Sequence, residues 1–343
     1  MSELSPFLII SGMHRSGTSF LARALNLSGV YLGTPAQLTH TDINPHPTNA
    51  FGHWEHQRLQ SLADQTLALT DGSWDQPPLS ITVTPEIAAA VAEEIARLRA
   101  PAAFASGFKD PRTLLVWEAW RPYLPEESVV IGIFRHPEGV ERSLAKRDGF
   151  EREKAVALWL AHNRKLLSLV EQANGFLLDF DWPADRLSDE LSWICRQLHL
   201  PYTGIARWYK PALIKAYRDD ALSQDVAALH ADLKARSQRN REVQLKLPPP
   251  SAGRLSDISH QLLLQMEEQA LFFRNVHDQD KAQELIQQQQ AYINYLEDKN
   301  NIEALHQHIA NLQESLTAIR NSRTWKLLRS IDRLLGRSQP EPR

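Results

Sequence analysis

Short apolar runs alternate with helical patterns along the first two thirds of the chain. Runs of this length are typical of buried parallel strands, and they lie at residues 7–11, 104–108, 129–134 and 176–180. Apolar residues at helical spacing predict helices at residues 18–27, 85–99, 140–146, 154–173 and 186–198. Strands separated by helices predict an α/β fold: a parallel sheet flanked by helices, with ligands at the carboxyl ends of its strands.

The polar segment at residues 34–79 shows no clear period and is rich in Pro, Asn, Asp and His. A connection of this length inside a compact domain is typically functional, or it hides an element that the pattern does not reveal. We expect this segment to line one side of a cleft at the strand ends.

The character of the chain changes after residue 247. Three prolines at residues 248–250 and a following Ser-Ala-Gly make a stiff break, and the rest is helical, polar and poor in glycine. Six apolar residues then alternate spacings of three and four: Ile302, Leu305, Ile309, Leu312, Leu316 and Ile319. This spacing is that of a left-handed coiled coil. We therefore predict one domain at residues 1–247 and a helical stalk or coiled coil at 248–319, through which copies of the chain associate.

The tail at residues 320–343 is basic and amphipathic. Seven Lys or Arg residues stand against Asp332 and Glu341, and apolar residues such as Trp325 and Leu328 form one helical face. A helix of this kind lies on an anionic membrane surface or docks on a protein, and the sequence leaves both open. The segment NSRTWKLLRSIDRLLGR also resembles the tail of bacterial glycosyltransferases that build surface polysaccharides.

Composition excludes several classes of protein. The 343 residues carry 38 Lys and Arg against 41 Asp and Glu, so no overall positive field attracts nucleic acid. The single cysteine, Cys195, excludes an intramolecular disulfide and fits a reducing compartment. No signal-peptide pattern and no apolar stretch of about 18 residues is present. We expect a cytoplasmic protein, with the basic tail as a contact to the inner face of the membrane.

The first loop, GMHRSGTS at residues 12–19, follows the first apolar run directly. Its glycines allow a tight turn, its amides point inward, and the next helix adds positive potential, so it predicts a phosphate cradle. The spacing is that of a nucleotide-binding P-loop, but Thr18 stands where the usual lysine would be, and the cation is Arg15. This substitution argues against a P-loop kinase or nucleoside triphosphatase. The kinase or triphosphatase class is also disfavoured because no apolar strand ends in an Asp placed to hold magnesium.

The second motif, FRHPEGVERSL at residues 134–144, follows another apolar run and supplies Arg135 and, eight residues later, Ser143. Taken alone, these are equally well a surface arginine and a helix-capping serine. Together with the first loop they have one economical explanation, which is a nucleotide with phosphates at both its 5′ and 3′ positions.

The two motifs resemble those of sulfotransferases that use 3′-phosphoadenosine 5′-phosphosulfate (PAPS). Segments 44–56, 73–78 and 108–112 resemble bacterial members of that family. The resemblance covers about residues 5–215 and implies a P-loop-like fold. It implies that the first loop holds the 5′-phosphosulfate through Gly12, Arg15, Ser16, Gly17, Thr18 and Ser19, and that Arg135 and Ser143 hold the 3′-phosphate. No segment matches the family's late Arg-Lys-Gly element; Arg239 and Arg241 either replace it or are ordinary exposed charges.

The resemblance implies sulfuryl transfer from PAPS to a hydroxyl of a carbohydrate or glycolipid. Glu55 is the first choice as the catalytic base because it closes the GHWE segment, and His40, Asp42, His53 and His56 are the alternatives. Arg15 stabilises the developing charge. Lys109 or Arg112 adds a second cation near the sulfonate, or both pair with Asp110 to fix the strand end. Trp54 and Trp74 either stack on a sugar or belong to the core.

The histidine spacings in residues 40–56 lack a close pair of metal ligands, so we expect a site without metal. Two other functions compete with the sulfotransferase. One is the P-loop kinase or nucleoside triphosphatase, and the other is a non-catalytic coiled-coil scaffold that retains a relic nucleotide fold.

Overall fold

The computed structural model describes residues 5–34, 36–39, 52–99, 103–200, 202, 217, 222–245 and 247. These residues belong to the first of two compact units, Met1–Ser251 and Ala252–Arg343. The predicted stalk at 248–319 and the predicted basic tail at 320–343 lie outside the described residues. None of the described helices has both the length and the apolar character that a membrane crossing needs.

Strands and helices alternate along the described part of the chain. Their order is β1 (Phe7–Ser11), α1 (Thr18–Leu27), β2 (Val30–Tyr31), α2 (Gln57–Ala68), α3 (Pro85–Arg99), β3 (Ala105–Lys109), α4 (Thr113–Trp120), β4 (Ser128–Phe134), α5 (Pro137–Asp148), α6 (Arg152–Gln172), β5 (Phe176–Asp179), α7 (Ala184–Gln197) and α8 (Gln224–Ser237). Short 3₁₀ turns at Arg121–Tyr123 and Asn240–Glu242 follow α4 and α8.

The five strands form one parallel sheet in the order β2-β3-β1-β4-β5. This confirms the predicted α/β class. Strand β1 is central: Ile10 pairs with Lys109 of β3 on one side and with Ile131 of β4 on the other. Because all strands run the same way, the segments that follow β1, β3, β4 and β5 meet at one edge of the sheet.

The strands are buried because helices cover both faces of the sheet. All five residues of β1, β3 and the last six of β4 are buried, as expected for the continuous apolar runs of a parallel sheet. Two tryptophans secure the helices that pack around it. Trp120 of α4 donates its indole N–H to Thr66 Oγ1 of α2 at 3.1 Å, and Trp159 of α6 donates to the backbone carbonyl of Arg135 at 3.0 Å. The second of these bonds fixes the end of β4, where the second motif begins.

Most predicted elements are confirmed. The predictions for β1, α1 and α3 have the observed bounds. Helix α5 begins three residues before its predicted start, because Pro137 occupies the first helical turn and His136 caps it by accepting from the Glu138 N–H at 3.3 Å. The segment at 34–79 does hide an element, since it contains helix α2. The elements β2, α4 and α8 were not predicted.

Candidate functional site

A cleft of about 440 Å³ lies at the carboxyl edge of the sheet. Its wall is formed by the segments that follow β1, β3, β4 and β5, together with α1, α2 and α5. The lining includes two carboxylates, Glu55 and Asp148, and six cationic side chains: Arg15, Arg23, Lys109, Arg112, Arg135 and Arg147. The lining itself holds more cations than carboxylates, which suits an anionic ligand, while Asp64 and Asp110 pair with Arg112, and Asp181 with Arg135, from outside the lining.

The first loop has the backbone geometry of an anion cradle. Arg15 and Gly17 both take positive φ angles, 70° and 94°, and the N–H of Ser16 donates to the carbonyl of Met13 at 3.2 Å. Gly17 then caps α1, which begins at Thr18. Such alternation of backbone conformations turns amide groups into one concavity. A Cβ atom at Gly12 would lie 2.2 Å from the carbonyl oxygen of Ile133, so only glycine fits between the loop and β4.

Arg15 joins the first loop to the second motif. Its Nε donates to Ser143 Oγ at 2.7 Å, across 128 residues of sequence. Ser143 lies on α5, and Arg147 lies one turn further on the same helix face. Burial lowers the pKa of the Arg15 guanidinium, and the nearby charge of Arg147 lowers that pKa further. Arginine starts from so high a value that Arg15 remains a cation at neutral pH.

Arg135 stands directly after β4 and is held from several sides. Its NH2 donates to the Tyr217 hydroxyl at 2.9 Å, and its Nε lies 3.6 Å from Asp181 Oδ1. The guanidinium carbon lies 5.2 Å from the centre of the Phe180 ring. Burial raises the pKa of Asp181, while its contacts with the His136 backbone N–H and with Arg135 act in the opposite direction. Arg135 and Arg15 therefore line the same cleft from β4 and β1.

Lys109 and Glu55 form a buried ion pair beside the first loop. Their side chains are 2% and 8% exposed, and Lys109 Nζ contacts Glu55 Oε1. Lys109 also donates to the carbonyl oxygen of His53 at 2.8 Å and to Ser19 Oγ at 3.5 Å. The other carboxylate oxygen of Glu55 accepts from Thr39 Oγ1 at 3.1 Å. The structure thus brings the predicted base and the predicted second cation together, next to the last residue of the loop.

Arg112 pairs with Asp110, as one of its two alternatives predicted, and it also lines the cleft. It donates to Asp64 Oδ1 at 2.6 Å and to Asp110 Oδ1 at 3.2 Å. Burial raises the pKa of Asp110, and the positive charge of Arg112 opposes that rise. Lys109 does not share this pairing, because its ion-pair partner is Glu55.

Trp74 lines the cleft, whereas Trp54 is buried and belongs to the core. The Trp74 ring lies 4.4 Å from the His14 ring and 5.2 Å from the guanidinium carbon of Arg147. Burial lowers the pKa of His14 well below its usual value, and neighbouring positive charges, that of Arg112 first, lower it further. His14 is therefore neutral at physiological pH.

Several other candidates lie elsewhere or outside the described residues. His56 is buried against α3, where its Nε2 lies 3.5 Å from Glu94 Oε1, and it does not line the cleft. His53 lines the cleft, and His40 and Asp42 lie outside the described residues. Arg241 pairs with Glu190 at 2.8 Å and stacks on Trp193, away from the cleft.

Sequence reasoning did not single out several residues of the cleft, among them Arg23, Arg147 and Phe180, nor Tyr217, which contacts Arg135. A helical-face argument finds Arg147, because it stands four residues after Ser143. No sequence pattern singles out Tyr217. Among the described residues, no group of three or more His, Cys, Asp or Glu side chains is arranged to hold a metal ion.

No protein-family model matches the chain, and no curated protein is significantly similar to it. The function is therefore inferred from the cleft and from the motifs that line it.

Proposed function

We propose that the chain is a PAPS-dependent sulfotransferase that acts on a hydroxyl of a carbohydrate or glycolipid. The observation that carries this proposal is the 2.7 Å hydrogen bond from Arg15 Nε to Ser143 Oγ. It brings the first loop and the second motif into one cleft, where Arg135 also lies. Two separate phosphate-binding elements in one cleft suit a nucleotide that carries phosphates at both ends of its ribose.

The cleft supplies the charges that such a donor needs. Arg15 and the amides of the first loop hold the 5′-phosphosulfate, and Arg135 and Ser143 hold the 3′-phosphate. The six cationic side chains of the wall offset the negative charges of the ligand. Thr18, in the place of the P-loop lysine, leaves Arg15 as the cation of the loop.

Sulfuryl transfer forms a bond from the acceptor oxygen to sulfur and breaks the bond between sulfur and the oxygen of the 5′-phosphate, which keeps the electron pair. Arg15 stabilises the negative charge that develops on that oxygen. Glu55 accepts the proton of the attacking hydroxyl. Lys109 orients the Glu55 carboxylate and places a further cation within reach of Ser19.

Calorimetry tests the proposal. Adenosine 3′,5′-bisphosphate should bind without metal and more tightly than ATP in the presence of magnesium. Replacing either Arg15 or Arg135 by alanine should weaken this binding by at least about 1.5–3 kcal/mol, the range for hydrogen bonds to charged groups. Arg241→Ala is the matched control, because Arg241 lies outside the cleft. Tighter binding of magnesium-ATP would point to a nucleotide kinase or triphosphatase. If the chain bound neither nucleotide, the remaining hypothesis would be a non-catalytic scaffold.

A further inference from the structure

Arg135, the predicted 3′-phosphate ligand, is held by Tyr217, a residue 82 positions later in the chain. Its NH2 donates to the Tyr217 hydroxyl at 2.9 Å, and on its other side Nε lies 3.6 Å from Asp181 Oδ1. The side chains of Arg135 and Asp181 are only 13% and 14% exposed. The guanidinium is therefore fixed in place before any ligand arrives.

The surroundings of Tyr217 are shaped to hold its hydroxyl at that point. The ring stacks on the His136 ring, with centroids 4.5 Å apart and planes 4° from parallel. Gly139, on the first turn of α5, has no side chain, and a Cβ there would lie 2.6 Å from the Tyr217 hydroxyl and 2.8 Å from Arg135 Nε. The absence of a side chain at Gly139 thus leaves room for the Tyr217 hydroxyl and the Arg135 guanidinium.

The Tyr217 hydroxyl accepts the hydrogen bond from Arg135, so its own proton is left to donate. Burial raises the pKa of Tyr217, which keeps that proton in place at neutral pH. An oxyanion bound beside Arg135 needs donors around it, and a phenol hydroxyl next to a guanidinium provides one.

We propose that Tyr217 is a specificity-determining residue of the donor site: it positions Arg135, and its hydroxyl donates a hydrogen bond to the 3′-phosphate. This inference rests on the proposed function. It also assigns the role for which the sequence offered Arg239 or Arg241. Arg241 is engaged with Glu190 and Trp193 instead, whereas Tyr217 contacts Arg135, which lines the cleft.

The test compares two nucleotides that differ only in the 3′-phosphate, adenosine 3′,5′-bisphosphate and adenosine 5′-monophosphate. Tyr217→Phe keeps the ring that stacks on His136 and removes only the hydroxyl. The matched control is Tyr202→Phe, which removes another partly buried tyrosine hydroxyl; that hydroxyl lies 2.9 Å from Ser188 Oγ and outside the cleft. Thermal unfolding of each full-length variant shows that the fold is retained.

We expect Tyr217→Phe to weaken the bisphosphate by about tenfold or more and the monophosphate by less than about twofold, since a hydrogen bond to a charged group is lost with only one ligand. Tyr202→Phe should change neither affinity. Equal weakening of both nucleotides by Tyr217→Phe, or no weakening, would overturn the role of Tyr217. A wild-type chain that binds the two nucleotides equally would overturn the proposed function and this inference with it, and that result is visible before any variant is made.

Discussion

The buried pair of Glu55 and Lys109 allows the sharpest test of the site. Glu55→Gln removes the negative charge and keeps the size of the side chain. Lys109 then remains as a cation with only 2% of its side chain exposed, and it keeps the carbonyl oxygen of His53 at 2.8 Å as an acceptor. Breaking a buried ion pair from one side costs about 3–5 kcal/mol. Because the glutamine still offers an amide oxygen, we expect a loss near the lower end, about 3 kcal/mol.

The same reasoning predicts strong coupling between the two positions. Lys109→Met leaves the Glu55 carboxylate without its cation, whereas the double variant leaves no unpaired charge. The double variant should therefore lose about 2 kcal/mol less than the sum of the single losses, within the range for residues in contact. Arg97 and Glu93 form the matched surface pair, with side chains 60% and 63% exposed. Their coupling should stay below about 0.5 kcal/mol.

Urea unfolding of the four chains of each cycle measures the coupling, and a sulfotransferase assay follows turnover. Glu55→Gln should lower turnover by about 100-fold or more, because the proposed proton acceptor is lost, and should leave the affinity for adenosine 3′,5′-bisphosphate within about twofold. Coupling as weak as that of the surface pair would refute the argument from burial. Full turnover in Glu55→Gln would refute the assignment of the base and favour His53, which also lines the cleft.

Two further predictions concern the fold around the site. Gly149→Ala should cost about 1–2 kcal/mol, because Gly149 has a φ of 69° but open space around it. Gly17→Ala should cost about 1–3 kcal/mol more than Gly149→Ala, because its Cβ would lie 2.3 Å from the Phe180 ring, and it should abolish binding of the bisphosphate. Equal losses of stability for the two variants in urea unfolding would contradict this. Burial lowers the pKa of His162 to about 4, so the unfolded chain takes up this proton first as the pH falls. His162 alone should lower the stability of the wild type by about 3 kcal/mol between pH 6.5 and 4. In urea unfolding across that range, His162→Gln should therefore lose about 3 kcal/mol less than the wild type, while the losses due to His14 and His56 remain; an unchanged slope would refute the assignment.

The elements that could be predicted are those whose pattern is local. Strand β1 and helices α1 and α3 show their character within the segment itself, and their predicted bounds agree with the structure. Helix α4 could not be found in this way, because six of its eight residues are buried and a helix that is apolar nearly all round has no amphipathic period. Strand β2 has only two residues and depends on its pairing with β3.

The residues of the candidate site likewise fall into those that a local sequence pattern reveals and those that only the tertiary fold brings together. The first loop and the second motif were visible because each is a compact pattern after an apolar run. The pairing of Lys109 with Glu55, 54 residues apart, depends on a backbone bridge between them that only the tertiary fold creates. The contact of Arg135 with Tyr217 spans 82 residues, and no local sequence pattern predicts it.

The bond between Arg15 and Ser143 also has a consequence for how the chain folds. Its partners are 128 residues apart, and the central strand β1 pairs only with strands that come much later, β3 and β4. Because the chain loses the entropy of closing these long loops before the pairings stabilise it, we expect the domain to fold slowly, and the cleft requires these non-local pairings. A nascent chain that ends before α5 has no Ser143 and cannot complete the site. A ligand of the finished cleft therefore binds the native state alone, and at 100 times its dissociation constant it adds about 2.7 kcal/mol to the stability of the whole domain.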